Sequence, residues 1–139
     1  MQVEEHAVDG IDGMTTYRFY IGMEGASDFL SAIYGGVASP MTLSTSTGFY
    51  NDEFATGATA EGINTAFLAL MPSLAYDSWV TIGAESQATE GQVPTSTVES
   101  EFQPWTGAFT FTSEMSGQNV LIDDSYGGAW YITNGASNG

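Results

Sequence analysis

The sequence predicts an all-β fold, specifically an antiparallel β-sandwich of the jelly-roll kind with one short helix near residues 60–70. Short segments in which apolar and polar residues alternate recur along the 139 residues, which is the period of a half-buried strand. The segments are separated by turn-forming residues, and the chain contains 17 glycines. Threonine and aromatic residues, which favour strands, are abundant, and so is serine, which favours turns. A chain of this length fits one domain.

The clearest predicted strand begins at Thr15 and ends at Gly22, with Tyr17, Phe19 and Ile21 on one face. Further strands are predicted over 29–34, 41–48, 78–83, 105–112, 119–123 and 129–133. The last two are joined by a glycine-containing loop and are expected to form a hairpin. Residues 87–103 are expected to be a long loop with at most one short strand, and the tail 134–139 carries no core signal.

The predicted helix over 60–70 depends on an apolar stripe. Ile63, Phe67 and Leu70 have the i, i+4, i+7 spacing of one helix face. Thr59 is the expected N-cap, and Pro72 is expected to end the helix. We divide the chain into an N-terminal arm over 1–13, flexible or pairing at a sheet edge, and a single β-rich domain over 14–139.

The charge balance excludes several classes of protein. The chain has 17 acidic residues, one arginine, one histidine and no cysteine, for a net charge of −16. Such a field repels nucleic acid and anionic membranes. The composition offers no lysine for a Schiff base and no thiolate for nucleophilic attack or metal binding. No run of 18 apolar residues is present, so we expect no membrane span.

Five aspartates are weak candidates for calcium ligands. Asp9 and Asp12 are three residues apart in a glycine-rich turn, a spacing that calcium loops use. Asp52 and the adjacent pair Asp123 and Asp124 are similar candidates. The alternative is that these side chains accept hydrogen bonds from the backbone of their own turns. No cofactor is expected to be required. However, the surplus of acidic residues predicts that cations, calcium among them, influence folding or assembly.

The lone guanidinium and the three tryptophans are the remaining candidate site residues. Arg18 is expected to form a structural ion pair, with binding of a ligand carboxylate or a ring as the alternative. Trp79, Trp105 and Trp130 would offer stacking faces to a sugar if they are exposed, and otherwise belong to the core. No spacing selects a catalytic pair of carboxylates, and His6 has no recognisable partner motif, so no enzyme is predicted.

Four stretches together resemble a known module: TTYRFY (15–20), LSTSTGFYN (43–51), INTAFLALMPSLAYDSWVTIG (63–83) and VLIDDSYGGAWYITNG (120–135). They are similar to a β-rich module of secreted and surface proteins of marine bacteria, with algal relatives. The resemblance implies export and no established enzymatic activity, so no catalytic residue carries over. It also implies further strand sequence after the AWYITNG segment. We therefore expect either that the chain is a fragment or that a neighbour supplies a missing strand.

These observations predict a non-enzymatic structural protein. We expect it to self-associate through strand edges into a fibre, sheath, shell or surface layer, with a dependence on cations. The expected location is extracellular or at the cell surface, with an organelle lumen as the alternative. The alternative function is a carbohydrate-binding or adhesion module of a secreted protein. A hydrolase with an Asp/Glu pair is a third possibility.

Overall fold

The computed structural model describes residues 1–133, and within them the fold is all-β, as the sequence predicts. The seven strands are β1 (Gln2–Val8), β2 (Thr15–Tyr20), β3 (Ala32–Gly35), β4 (Met41–Leu43), β5 (Ser96–Val98), β6 (Val120–Ile122) and β7 (Gly128–Tyr131). Four 3-10 helices cover Ala60–Gly62, Thr65–Phe67, Pro72–Tyr76 and Thr106–Phe109. The tail 134–139, predicted to lack a core signal, lies outside the described residues.

The strands form three antiparallel sheets, an arrangement consistent with a β-sandwich. In the largest sheet β7 lies between β3 and β5, and a second sheet pairs β4 with β6. In the third sheet β1 pairs with β2, and we call this two-stranded sheet the ribbon. A bulge between Glu5 and Ala7 interrupts its register. The residues between its strands form a turn in which Asp9 and Gly13 have positive φ, at 54° and 73°.

The core is formed by side chains of the other two sheets and of the loops around them, and we call this part of the molecule the body. It is built from ten buried side chains: Ala58, Val80, Ile82, Trp105, Ala108, Phe109, Val120, Ile122, Trp130 and Ile132. The Trp105 and Trp130 rings are in contact, with centroids 5.7 Å apart. None of the described ribbon residues belongs to this core, so the ribbon is stabilised by its own ladder and by contacts at the surface of the body.

The C-terminal hairpin predicted from 119–133 is wrong. β6 pairs with β4, whereas β7 pairs with β3 and β5. The loop between β6 and β7 therefore carries the chain from one sheet to another. The Asp124 carboxylate shapes this loop, because its Oδ1 accepts hydrogen bonds from the Tyr126 and Gly127 amides, at 3.1 and 2.6 Å.

The helix predicted over 60–70 is also wrong, because two separate 3-10 turns occupy this region. Ile63 is buried, but Phe67 and Leu70 are 46% and 78% exposed, so the three residues do not share a buried face. Thr59 makes no capping hydrogen bond. Pro72 begins the next 3-10 helix instead of ending one.

Two predicted strands, over 78–83 and 105–112, are not strands. In the first, Val80 makes one isolated bridge to Thr59, and the Ile82 amide donates to the Thr95 hydroxyl at 3.1 Å. In the second, the chain turns as a 3-10 helix over Thr106–Phe109. The Glu99 carboxylate favours that turn, because it accepts hydrogen bonds from the two amides at its start, at 2.7 and 2.8 Å.

Candidate functional site

The outward face of the ribbon exposes a contiguous set of apolar side chains. Strand alternation places Val3 of β1 directly opposite Phe19 of β2, with Tyr17 next to them on the same face, where it lies opposite the exposed Glu5. Val3 is 55% exposed and Phe19 is 65% exposed. Met1 and Ile21, which lie one residue beyond the paired ends of β1 and β2, are also exposed. A strand that pairs normally but turns its aromatic side chains to solvent is unusual, since such residues ordinarily cover a core.

The opposite face of the ribbon carries the polar contacts that attach it to the body. The Arg18 guanidinium pairs with the Glu85 carboxylate, with Nη1 and Oε2 separated by 3.1 Å. The prediction that Arg18 forms an ion pair therefore agrees with the structure. At the turn of the ribbon, Gly10 packs closely against the Tyr76 ring. These contacts attach the ribbon to the rest of the molecule through Arg18 and through the turn, while Val3, Tyr17 and Phe19 on the other face stay at least half exposed.

A pair of buried carboxyl groups links two loops of the body. Asp52 is 2% exposed and Asp77 is 7% exposed. The Asp52 amide donates to Oδ1 of Asp77 at 2.8 Å. The Asp52 carboxylate itself accepts from the Phe54 amide at 2.9 Å and from the Tyr50 hydroxyl at 3.1 Å. This network holds the 50–54 loop against the end of the 3-10 helix over Pro72–Tyr76.

The pKa of Asp77 is raised from 3.8 to about 7, and burial is the main cause; hydrogen bonds from the backbone lower this pKa, and the nearby Asp52 charge raises it. Burial and the Asp52 carboxylate also raise the pKa of the Tyr50 hydroxyl. No arginine lowers these two pKa values, because the only arginine of the chain is paired with Glu85. Asp77 is therefore a buried carboxyl group that holds its proton more tightly than an exposed aspartate does.

The structure does not gather the aspartates that the sequence suggested as calcium ligands. Within residues 1–133, no group of three or more acidic or histidine side chains could hold a metal ion. Asp9 and Asp12 lie in the ribbon turn, and Asp52 belongs to the buried pair. Asp123 accepts a hydrogen bond from the Gln103 side chain at 2.6 Å, and Asp124 accepts from its own loop. Asp124 in particular behaves as the turn-forming alternative predicts.

The tryptophans separate into two kinds. Trp105 and Trp130 are 1% and 6% exposed, so their rings belong to the core and cannot stack against a sugar. Their indole N–H groups donate to the Val98 and Thr81 carbonyls, at 3.0 and 3.2 Å. Trp79 differs, because it is only half-buried and lines a cleft.

Asp77 is the residue that sequence reasoning missed. It lies 25 positions from Asp52, immediately before the strand predicted over 78–83. The local sequence contains no motif that joins the two residues. The available signal was indirect: an aspartate between Tyr76 and a mostly apolar segment, with no lysine in the chain to pair with it.

Comparison of the chain with protein-family models, with curated proteins and with solved structures finds no match in any of the three. The resemblance to an exported module of marine bacteria therefore stays a prediction. Among the described residues, no helix has both the length and the apolar character needed to cross a membrane.

Proposed function

We propose that the protein is a non-enzymatic structural module that associates with further copies of itself through the outward face of the ribbon. The observation that carries the proposal is the exposed pair Val3 and Phe19, flanked on the same face by Tyr17. Burying these side chains against a second copy would remove from water an apolar surface that the monomer leaves exposed. The assembly would be a fibre, sheath, shell or surface layer.

The size of this face supports a second copy as its partner. Its five apolar side chains are Met1, Val3, Tyr17, Phe19 and Ile21. Large aromatic side chains bury about 150–250 Å² each. On that scale the exposed parts of the five side chains sum to roughly 500–600 Å². That is at the upper limit of the largest patch on a typical monomer, about 300–600 Å². It would supply most of the roughly 800 Å² that each partner buries in a stable interface. Two ribbons packed face to face would need little additional surface.

Open strand edges offer a second means of contact between copies. Among the described residues, β1 and β2 pair only with each other, and β3 and β5 are the outer strands of their sheet. Each of these edges leaves backbone donors and acceptors available to a strand from a neighbour. Association at edges would extend the contact made by the ribbon face in a second direction, as a lattice requires.

The net charge of −16 opposes association and makes it dependent on cations. Repulsion between copies is screened as salt concentration rises, since the Debye length shortens from about 30 Å at 0.01 M to about 8 Å at 0.15 M. Divalent cations such as calcium would screen more strongly and could bridge carboxylates of two copies. An extracellular or cell-surface location, where such ions are plentiful, suits a lattice of this kind, with an organelle lumen as the alternative.

Sedimentation velocity over a range of protein and salt concentrations tests the proposal, with electron microscopy of the largest species. We expect association to increase with salt and with calcium, and to reverse when a chelator removes the calcium. A protein that stays monomeric at every concentration and in every salt would contradict the proposal.

The contribution of the ribbon face is tested with the variant Phe19→Ser. Phe19 is 65% exposed, so its replacement should weaken association by at least tenfold and leave folding intact. Phe111→Ser is the matched control, because Phe111 is 50% exposed but lies outside the ribbon. If the two variants associate equally well, the interface lies elsewhere.

A further inference from the structure

A cleft of about 270 Å³ lies between the inner side of the ribbon and the body. Its apolar wall is formed by Ile63, Leu68 and Leu74. Ile63 and Leu74 are 4% and 1% exposed, so this wall is part of a packed interior and not a mobile surface. The volume is close to the lower limit of small-molecule sites, about 300 Å³, and suits a ligand of one or two rings.

Trp79 lines this cleft and is the one tryptophan that solvent reaches. Its indole N–H has no hydrogen-bond acceptor within the described part of the chain, and it is not among the buried unpaired polar atoms. Trp79 therefore offers both a flat apolar ring and an unused donor to a molecule in the cleft. The indole N–H groups of the other two tryptophans donate hydrogen bonds to backbone carbonyls.

The polar side of the cleft carries the Arg18–Glu85 pair, whose closest atoms are 3.1 Å apart. Both side chains reach solvent, at 29% and 60% exposure. A guanidinium has five N–H donors, and a carboxylate has about four acceptor positions, so the pair retains unused donors and acceptors beside the indole ring. The two charges neutralise each other locally, while the rest of the chain is strongly negative and repels anions.

We propose that this cleft binds a neutral carbohydrate. An apolar wall, an accessible indole, and adjacent donors and acceptors without net charge match the two sides of a sugar ring. The C–H face of a sugar ring packs on Trp79, and its hydroxyl groups exchange hydrogen bonds with Arg18 and Glu85. The site is on the side of the ribbon opposite the apolar face, so it would remain open when that face is covered by a second copy.

Titration with a panel of oligosaccharides tests the site. The neutral probes are short β-glucans, mannans, xylans and galactans, and the charged probes are oligogalacturonate and chitosan oligosaccharides. Because Trp79 is the tryptophan that solvent reaches, binding should change its fluorescence and shift its indole N–H signal in NMR spectra. We expect at least one neutral probe to bind, with an affinity that salt barely alters. Binding of the charged probes alone, or no binding at all, would overturn the proposal.

Two variants connect binding to the cleft. Trp79→Ala and Glu85→Gln should each weaken binding of the neutral probe by at least tenfold. Glu85 is 60% exposed, and glutamine keeps an oxygen that can accept a hydrogen bond from Arg18, so this variant is expected to fold even if the loss of Trp79 disturbs packing. Glu90→Gln is the matched control, since Glu90 is exposed and does not line the cleft. Unchanged affinity in Glu85→Gln and Trp79→Ala would overturn the assignment.

Discussion

Replacing Asp77 with asparagine should make the free energy of unfolding less dependent on pH. The Asp77 carboxyl is buried next to Asp52, and burial raises its pKa from 3.8 to about 7. The folded protein therefore holds this proton more tightly than the unfolded chain does. Asparagine has nearly the same shape and keeps an oxygen that can accept the hydrogen bond from the Asp52 amide, but its side chain does not titrate in this pH range.

The direction and the size of the effect follow from the two pKa values. An acid whose pKa is raised by folding destabilises the folded state as the pH increases. The loss begins near pH 3.8 and is complete just above pH 7. With 1.36 kcal/mol for each pKa unit, the Asp77 contribution falls by roughly 2–3 kcal/mol between about pH 5 and pH 8. That is a large part of the ~5–15 kcal/mol that stabilises a typical domain.

Urea unfolding followed by tryptophan fluorescence, repeated across this pH range, measures the difference. Trp105 and Trp130 are buried, so their emission reports the loss of the core. The stability of Asp77→Asn should decline less between about pH 5 and pH 8 than that of the wild type, by roughly 2–3 kcal/mol. Asp12→Asn, a change at an exposed aspartate, should follow the wild type. Parallel curves for the wild type and Asp77→Asn would refute the reasoning.

Two further predictions concern the core around Trp105. Gly128→Ala should destabilise the protein by about 1–3 kcal/mol, because its Cβ would lie 2.7 Å from the Trp105 indole nitrogen. Gly22→Ala, where nothing lies within 4 Å, should leave the thermal midpoint nearly unchanged in the same melting experiment. Glu99→Ala should cost about 1 kcal/mol in urea unfolding, since it removes the acceptor of two amides at the start of a 3-10 helix. Equal stability of Glu99→Ala and of the control Glu101→Ala would contradict this role.

The all-β class could be predicted from the sequence because alternation and turn residues recur along the whole chain. The prediction was most accurate where alternation and ladder pairing coincide, as in β2. It was wrong over 78–83, where Val80 and Ile82 are buried as the pattern predicts. Alternation of apolar and polar residues indicates which side chains face the core, but it does not indicate which groups form hydrogen bonds with the backbone amides and carbonyls. Here the Ile82 amide donates to a threonine hydroxyl.

The candidate sites could be predicted only in part, because they depend on contacts between distant segments. Arg18 and Glu85 are 67 residues apart, and Asp52 and Asp77 are 25 residues apart. The three tryptophans are equivalent in the sequence, and only the packed structure separates Trp79 from the other two. The alternation of β2 predicted its two faces correctly. It could not show that the aromatic face, including Phe19, would be the one directed to solvent.

The position of the single arginine makes one common protease a reporter of the ribbon. Trypsin cleaves after lysine or arginine, and Arg18, the one such residue in the chain, lies within β2 opposite Glu4. A protease must draw an extended segment into its active site, so β2 has to separate from β1 before cleavage. The rate of trypsin cleavage after Arg18 therefore measures how often the ribbon opens. Any partner that covers the ribbon will slow that single cut.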